Sequence, residues 1–249
     1  MKDQNRKTVV VTGGSRGIGR AICERLAGPT RDIVLLYHTQ KEQASAVVRS
    51  CQEKGATCLA LQTDVSSYTQ MEEAFAKITD QVGGVDILVN NAALSVYGLI
   101  QDIDPVEWDR VFSVNVSGAF YATKLALPHM LDQKWGRIIN IASVWGQVGA
   151  SYEALYAASK GALIAFSKST AKEVAYSGIT CNVLCPGMVS TDMMDQLDPD
   201  KKRALVEEVP LGRFLRPDEI ALWVAQLASE EACAMTGQVL SPSGGWIIQ

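Results

Sequence analysis

Short apolar runs alternate with longer segments of helical periodicity from one end of the chain to the other. TVVVT at Thr8–Thr12, DIVLLY at Asp32–Tyr37, TCLALQ at Thr57–Gln62, VDILVN at Val85–Asn90, RIINI at Arg137–Ile141, ITCNVL at Ile179–Leu184 and GQVL at Gly237–Leu240 read as strands. Several are near-continuous in apolar residues, the pattern of strands covered on both faces. Between them, apolar positions recur at helical spacing over Ile18–Leu26, Lys41–Lys54, Tyr68–Val82, Pro105–Phe112, Ala119–Leu131, Tyr152–Ala175 and Pro217–Ala228. The start Asp104-Pro105-Val106-Glu107 joins a capping acid, a first-turn proline and an acid three residues after the cap. Strand–helix alternation of this kind predicts right-handed crossovers. The expected fold is a doubly wound α/β sheet of seven mostly parallel strands with helices on both faces. No linker, composition break or internal repeat divides residues 1–249, so one domain is expected. Only the charged, methionine-bearing stretch at about 189–215 breaks the rhythm, and it is expected to be a substrate loop or lid.

Composition narrows the class. Hydrophobic residues make up 47% of the 249 and charged residues 20%, which suits one large α/β core and excludes a disordered chain. A formal net charge of −4 argues against nucleic acid or an anionic membrane as partner. No apolar run approaches the length needed to span a bilayer. Six cysteines without a C-x-x-C pair, and two histidines, His38 and His129, leave no metal-site spacing. No metal is expected, and reduced thiols in the cytoplasm are. The opening MKDQNRKTVVVTGG lacks the apolar core of a secretion signal.

The first strand runs directly into Thr12-Gly13-Gly14-Ser15-Arg16-Gly17-Ile18-Gly19, then a helix. Glycines at such a turn let the backbone approach a pyrophosphate, which rests on the free N–H groups of the helix start. The spacing is T-G-x-x-x-G-x-G, and the strand before and helix after it make it a dinucleotide signal. Folds of this kind that prefer NAD usually end the second strand on an acid that binds the ribose hydroxyls. Here that strand ends Leu36-Tyr37-His38-Thr39. Asp32 sits at its beginning, about 20 Å away if the strand is extended. With Arg16 inside the turn and His38 and Lys41 near the strand end, the expected cofactor is NADP(H).

A second group of candidates lies in SYEALYAASKGALIAFSKS, Ser151–Ser169. Tyr152, Tyr156 and Lys160 are each four apart and would stack on one helix face. Only Tyr156 is one turn from Lys160. Tyr152 is two turns away and is expected at the substrate mouth or packed at the helix start. A free tyrosine titrates at about 10, and a neighbouring ammonium favours its phenolate, so Tyr156 is the candidate proton donor. Ser143, ending the fifth strand, can hydrogen-bond a substrate oxygen where alkoxide charge develops.

In this order the motifs resemble the short-chain dehydrogenase/reductase family, over essentially the whole chain. TGGSRGIG resembles its cofactor turn, with Gly13, Ser15, Arg16, Gly17, Ile18 and Gly19 as contacts and His38 beside them. Asp64-Val65 resembles its adenine-binding pair, and Asn90-Asn91-Ala92-Ala93 its N-N-A-G segment, with Ala93 where glycine is usual. Asn115 in SVNVSG, Ser143 in IASVWG, and Tyr156 and Lys160 in YAASK resemble its catalytic tetrad. Pro186-Gly187, Val189 and Thr191 resemble its nicotinamide-side loop. The resemblance implies a Rossmann-type fold in which a nicotinamide supplies hydride to a ketone and Tyr156 supplies the proton. It also implies that Lys160 holds the nicotinamide ribose. Asn115 would interrupt its helix and hold a water that relays protons to Lys160.

Within the family, GRIINIAS, GITCNVLCPGMVSTDM, the P-x-G-R run at Pro210–Arg213 and the ending GQVLSPSGGW most resemble 3-oxoacyl-carrier-protein reductases and acetoacetyl-CoA reductases. That implies NADPH-dependent reduction of a 3-oxoacyl thioester. An alcohol, sugar, steroid or other cyclic ketone is the alternative substrate. Ser143, Val148, Tyr152, Tyr156 and Met188 are the expected substrate contacts. Leu94, Val96, Tyr97, Trp145, Met193 and Met194 would complete an apolar wall, suited to an acyl chain and equally to a steroid, aromatic ketone or terpenoid. Basic residues near the cleft would meet an acidic acyl carrier protein. Lys134 fits that role, whereas Ser177 stands where arginine is frequent. The resemblance further implies a homotetramer built on Ala119–Leu131, Tyr152–Ala175 and the C-terminal strand.

Overall fold

The computed structural model describes residues 6–190 and 198–248, so the expectations for Thr191, Met193 and Met194 lie outside the described residues. Its strands are β1 (Lys7–Thr12), β2 (Arg31–Tyr37), β3 (Thr57–Gln62), β4 (Ile87–Asn90), β5 (Gly136–Ile141), β6 (Ile179–Leu184) and β7 (Val239–Leu240). They form one sheet in the order β3-β2-β1-β4-β5-β6-β7, with every neighbouring pair parallel. The helices are α1 (Gly17–Leu26), α2 (Lys41–Glu53), α3 (Tyr68–Val82), α4 (Pro105–Phe112), α5 (Gly118–Gln133), the short α6 (Trp145–Val148), α7 (Ala154–Val174), α8 (Pro199–Glu207) and α9 (Pro217–Leu227).

The near-continuous apolar runs are explained by the two faces. Val9, Val11, Ile33, Leu35, Ile87 and Val89 pack with α1, α2 and α9, while Val10, Val34, Leu36 and Leu88 pack with α3, α5 and α7. Each such side chain contributes about 1.5–3 kcal/mol by leaving water. With both faces apolar, a slip of one residue exposes nothing to solvent, so hydrophobicity alone does not fix the register. A buried polar chain does: Asn90 Nδ2 donates to Asn140 Oδ1 at 2.8 Å, and Asn140 Nδ2 to Ser167 Oγ at 2.6 Å. Asn90 and Asn140 are register partners of β4 and β5, and Ser167 ties them to α7.

Where element ends differ from the sequence pattern, a competing backbone partner is present. β4 starts at Ile87 and not Val85, because the Asp86 carboxylate takes the Thr8 N–H at 2.8 Å. β7 starts at Val239 because the Gln238 N–H goes to Asn182 Oδ1 at 3.0 Å, after Gly237 has turned at φ +70°. Tyr152 lies outside α7, which begins at Ala154. It takes φ +64°, and its carbonyl accepts the Gly98 N–H at 2.9 Å. A left-handed tyrosine is strained and cannot start a helix. The stretch at 189–215 is pinned at both ends: Ser190 N–H donates to Leu215 O at 2.8 Å and Leu215 N–H to Met188 O at 2.9 Å. No described helix is long and apolar enough to cross a membrane.

The turn from β1 into α1 is the tightest point of the fold. Gly13 sits at φ +65°, and a Cβ on Gly19 would overlap the Gly13 carbonyl. We expect Gly19→Ala to destabilise the chain by about 2 kcal/mol. Calorimetry should show this as a fall of about 4–8 °C in the thermal midpoint; an unchanged midpoint would contradict the packing described.

Candidate active site

Strand order reverses between β1 and β4, and a crevice opens there at the carboxyl ends of the strands, where such sheets bind ligands. The cleft has a volume of ≈ 820 Å³ and is lined by Gly13, Ser15, Arg16, Gly17, Ile18, Gly19, His38, Asp64, Val65, Asn91, Ala92 and Ala93. All twelve come from the four segments singled out in the sequence. Thr12 and Asn91 hold its floor. Thr12 Oγ1 accepts the N–H groups of Asn91 and Ala92, both at 3.0 Å, and Asn91 Nδ2 donates to the carbonyls of Thr12 and Gly13 at 3.0 and 3.1 Å. Arg16, the capping residue of α1, is extended and makes no side-chain cap, which leaves the first N–H groups of the helix to a ligand.

Charge in the cleft is arranged for a nucleotide. Asp32, the acid of β2, is bound to Arg6 at 2.8 Å at the other edge of the sheet, so the cleft end of β2 carries His38, Thr39 and Gln40 instead. Burial pushes Asp64 up, but the Ser66 hydroxyl and N–H, at 2.7 and 2.9 Å, and His38 at 4.0 Å outweigh it. They hold its carboxyl below the usual range. Thr39, Gln40, Ser66, Arg110 and Val114 also line the cleft. The first three follow recognised residues along the chain, whereas nothing in the spacing of α4 announces Arg110.

The catalytic candidates gather at the ends of β5 and α7. Ser143 is buried two residues past β5, and its side chain favours ionisation of the nearby Tyr156 phenol. Lys160 is buried one turn along α7, with Nζ 5.6 Å from the Tyr156 ring centroid and donating to Ile141 O at 2.7 Å. Burial pulls its ammonium down to about 8. Asn115 lies in a π turn, Ser113–Ser117, that joins α4 to α5. This interruption matches the expected break in the helix.

The structure bears on four expectations. First, burial and then the charge of Glu153 push the Tyr156 phenol well above its usual range, opposed by Ser143, with the Lys160 ammonium 5.6 Å from the ring centroid. Second, the Asn115 side chain is committed to backbone and helix. Its Oδ1 accepts from Leu94 N–H at 2.7 Å, and its Nδ2 donates to Leu94 O and Ser159 Oγ, each at 2.9 Å. Third, Tyr152 is exposed and precedes the helix, so it is not two turns below Lys160 on a common face. Fourth, Lys134 ends α5 ahead of β5, at the amino edge of the sheet, about 20 Å from Ser143 if the strand is extended. A carrier docked on Lys134 would not face this cleft.

The nicotinamide-side residues form a packed turn. Pro186 O accepts from Val144 N–H at 3.1 Å, Gly187 N–H donates to Pro242 O at 3.0 Å, and Val189 is buried in the core. Of the apolar wall, Leu94, Val96, Trp145 and Met188 are half-buried, and Tyr97 and Val148 are exposed, as befits a rim. Trp145 meets Trp246 edge-on at 4.6 Å. Glu153, whose carboxyl accepts from Ser95 Oγ at 3.4 Å, was not anticipated from the sequence.

A family model described as short chain dehydrogenase matches residues 7–202. The chain belongs to the short-chain dehydrogenase family. A curated relative, 3-oxoacyl-(acyl-carrier-protein) reductase FabG of Staphylococcus aureus, is 39% identical over 96% of this chain and 97% of its own length. The protein of the same name from Aquifex aeolicus is 39% identical over 96% of each. An uncharacterized oxidoreductase, YmfI of Bacillus subtilis, is also 39% identical, over 96% of this chain and 98% of its own. A crystal structure of a phenylalanine-to-tryptophan variant of actinorhodin polyketide ketoreductase with NADPH superposes with a TM-score of 0.93. It is 32% identical and covers 99% of both chains. The residues present fit the nicotinamide cofactor of the family: a backbone cradle that a Cβ at Gly19 would fill, and an uncapped helix start.

The buried ammonium of Lys160 has a consequence for stability. Its folded-state value of about 8 lies below the ordinary 10.5. Between those values the unfolded chain binds more protons, so this group makes stability rise with pH. Below about pH 8 the full penalty of burying the charge is present. We expect the stability of the wild type relative to Lys160→Met to increase between pH 8 and 10.5, measured by urea unfolding at fixed ionic strength. A pH-independent difference would refute the buried charge.

Proposed function

We propose that the protein is an NADPH-dependent ketoreductase acting on 3-oxoacyl thioesters. The observation that carries the reading is the pairing of the Ser143 and Tyr156 hydroxyls at the carboxyl edge, beside a glycine-cradled cleft. Two neighbouring hydroxyls can both donate to one carbonyl oxygen placed between them. Tyr156 then delivers its proton while Ser143 stabilises the developing alkoxide. The buried Lys160, anchored on Ile141 O, keeps a cation behind the pair. A bound nicotinamide dinucleotide supplies the hydride. Arg16, His38, Thr39 and Gln40, with no acid at the end of β2, favour a phosphorylated ribose. The thioester reading draws on the curated relatives and on the half-buried apolar rim. Exposed Phe120 on α5, 6.4 Å from Phe166 on α7, suits a homotetramer built on those helices.

Acetoacetyl-CoA should be reduced at the expense of NADPH at least tenfold faster than NADH, followed by nicotinamide absorbance. Turnover of a sugar or cyclic ketone, with none for any 3-oxoacyl thioester, would overturn the substrate class. In Tyr156→Phe, kcat should fall about 10²- to 10⁴-fold with NADPH affinity retained. For the cofactor, Arg16→Gln should weaken NADPH about tenfold, the loss of one charge-assisted hydrogen bond, and NADH little. Equal losses by titration calorimetry would mean that Arg16 does not read the phosphate.

A further inference from the structure

The short helix α4 is held in one place at both ends. Asp104 caps its start, its carboxylate accepting the Val106 N–H at 2.8 Å, and Val111 near its end is fully buried. The π turn that follows is fastened to the loop after β4, because Asn115 bonds both the N–H and the carbonyl of Leu94, at 2.7 and 2.9 Å. This fixed frame sets Arg110 and Val114 on the wall of the nucleotide cleft together with Leu94. Val65 packs against the same region: a Cβ at Gly118, the first residue of α5, would lie 3.0 Å from Val65 Cγ2. Leu94, Val114 and Val65 thus give this wall an aliphatic lining. The groups suited to a phosphate, Arg16, His38, Thr39 and Gln40, come instead from the glycine turn and the end of β2.

Arg110 is an exposed cation on the aliphatic wall. Glu107 lies three residues before it, a spacing at which opposite charges pair across a helical turn. Even so, no ion pair or side-chain hydrogen bond engages Arg110 among the described residues. An arginine on the outer face of a helix would be a solvated charge and nothing more. This one borders a cavity with its guanidinium uncommitted.

We propose that Arg110 holds the base of the bound dinucleotide, its planar guanidinium lying against the adenine ring beside the aliphatic lining. A guanidinium stacks on an aromatic plane while its edge stays in water, and it needs no carboxylate partner to do so. The task differs from that of Arg16. A 2′-phosphate belongs to NADPH alone, whereas adenine is common to NADPH and NADH. The inference rests on the dinucleotide binding of the reading given above and not on its ketone.

The test measures binding to the full-length protein without substrate, by titration calorimetry with NADPH, NADH and ADP-ribose. Arg110→Gln should weaken all three alike, about 3- to 10-fold. Arg110→Lys, which keeps the charge and loses the plane, should recover less than half of that. The thermal midpoint of each variant without cofactor should stay within about 2 °C of wild type, as for an exposed side chain. Loss for NADPH alone would make Arg110 a second reader of the 2′-phosphate. Full retention in Arg110→Lys would make it a point charge toward the pyrophosphate, and a larger fall in the midpoint would make it a support of α4. Each of these, or unchanged binding in Arg110→Gln, would overturn the inference. Parallel losses in a protein that turns over no ketone would support the role of Arg110 and defeat the functional reading instead.

Discussion

The contact between Thr12 and Asn91 is the joint on which the rest of the site hangs. With their neighbours Gly13 and Ala92, these residues fasten the ends of the two central strands where the sheet reverses its order, through four hydrogen bonds of 3.0–3.1 Å. On one side of the joint lies the glycine turn, which has no room for a Cβ at Gly19. On the other, the chain passes Ala92 and Ala93 to Leu94, whose backbone is grasped by Asn115. Asn115 reaches Ser159, and Ser159 donates to Tyr156 O at 2.7 Å. The cofactor cradle and the proton donor thus belong to one continuous hydrogen-bonded frame, and a shift at either end is transmitted to the other.

Inside that frame the electrostatics run against stability. A fully buried ammonium and a half-buried carboxyl are both disfavoured by the surrounding protein. Folding tolerates them because the layers on each side of the sheet are aliphatic and continuous. Strain of this kind collects where chemistry is performed, and the surplus of the core sustains it elsewhere.

Most of the fold was legible because each strand is an unbroken apolar run and each crossover carries a helical stripe. The ends of β4, β7 and α7 were not, since each is decided by a partner remote in sequence: Thr8 for Asp86, Asn182 for Gln238, Gly98 for Tyr152. The site divides in the same way. Gly13 to Gly19, Ser143, Tyr156 and Lys160 stand at strand ends or at helical spacing, which can be read directly. Arg110 reaches the site only by tertiary approach. Lys134 was misread for a simpler reason: it precedes β5, and residues that precede a parallel strand lie at the edge opposite the chemistry.

The hydrogen bond from Gly98 N–H to Tyr152 O has a further meaning. It joins the loop after β4 to the entry of α7, so two stretches far apart in the chain make a single rim, with Ser95 and Glu153 as its second tie. Substitutions on the two halves share partners, and their energetic effects will not sum. For any effort to change what this cleft accepts, the rim is one unit of variation, to be altered as a pair of loops or not at all.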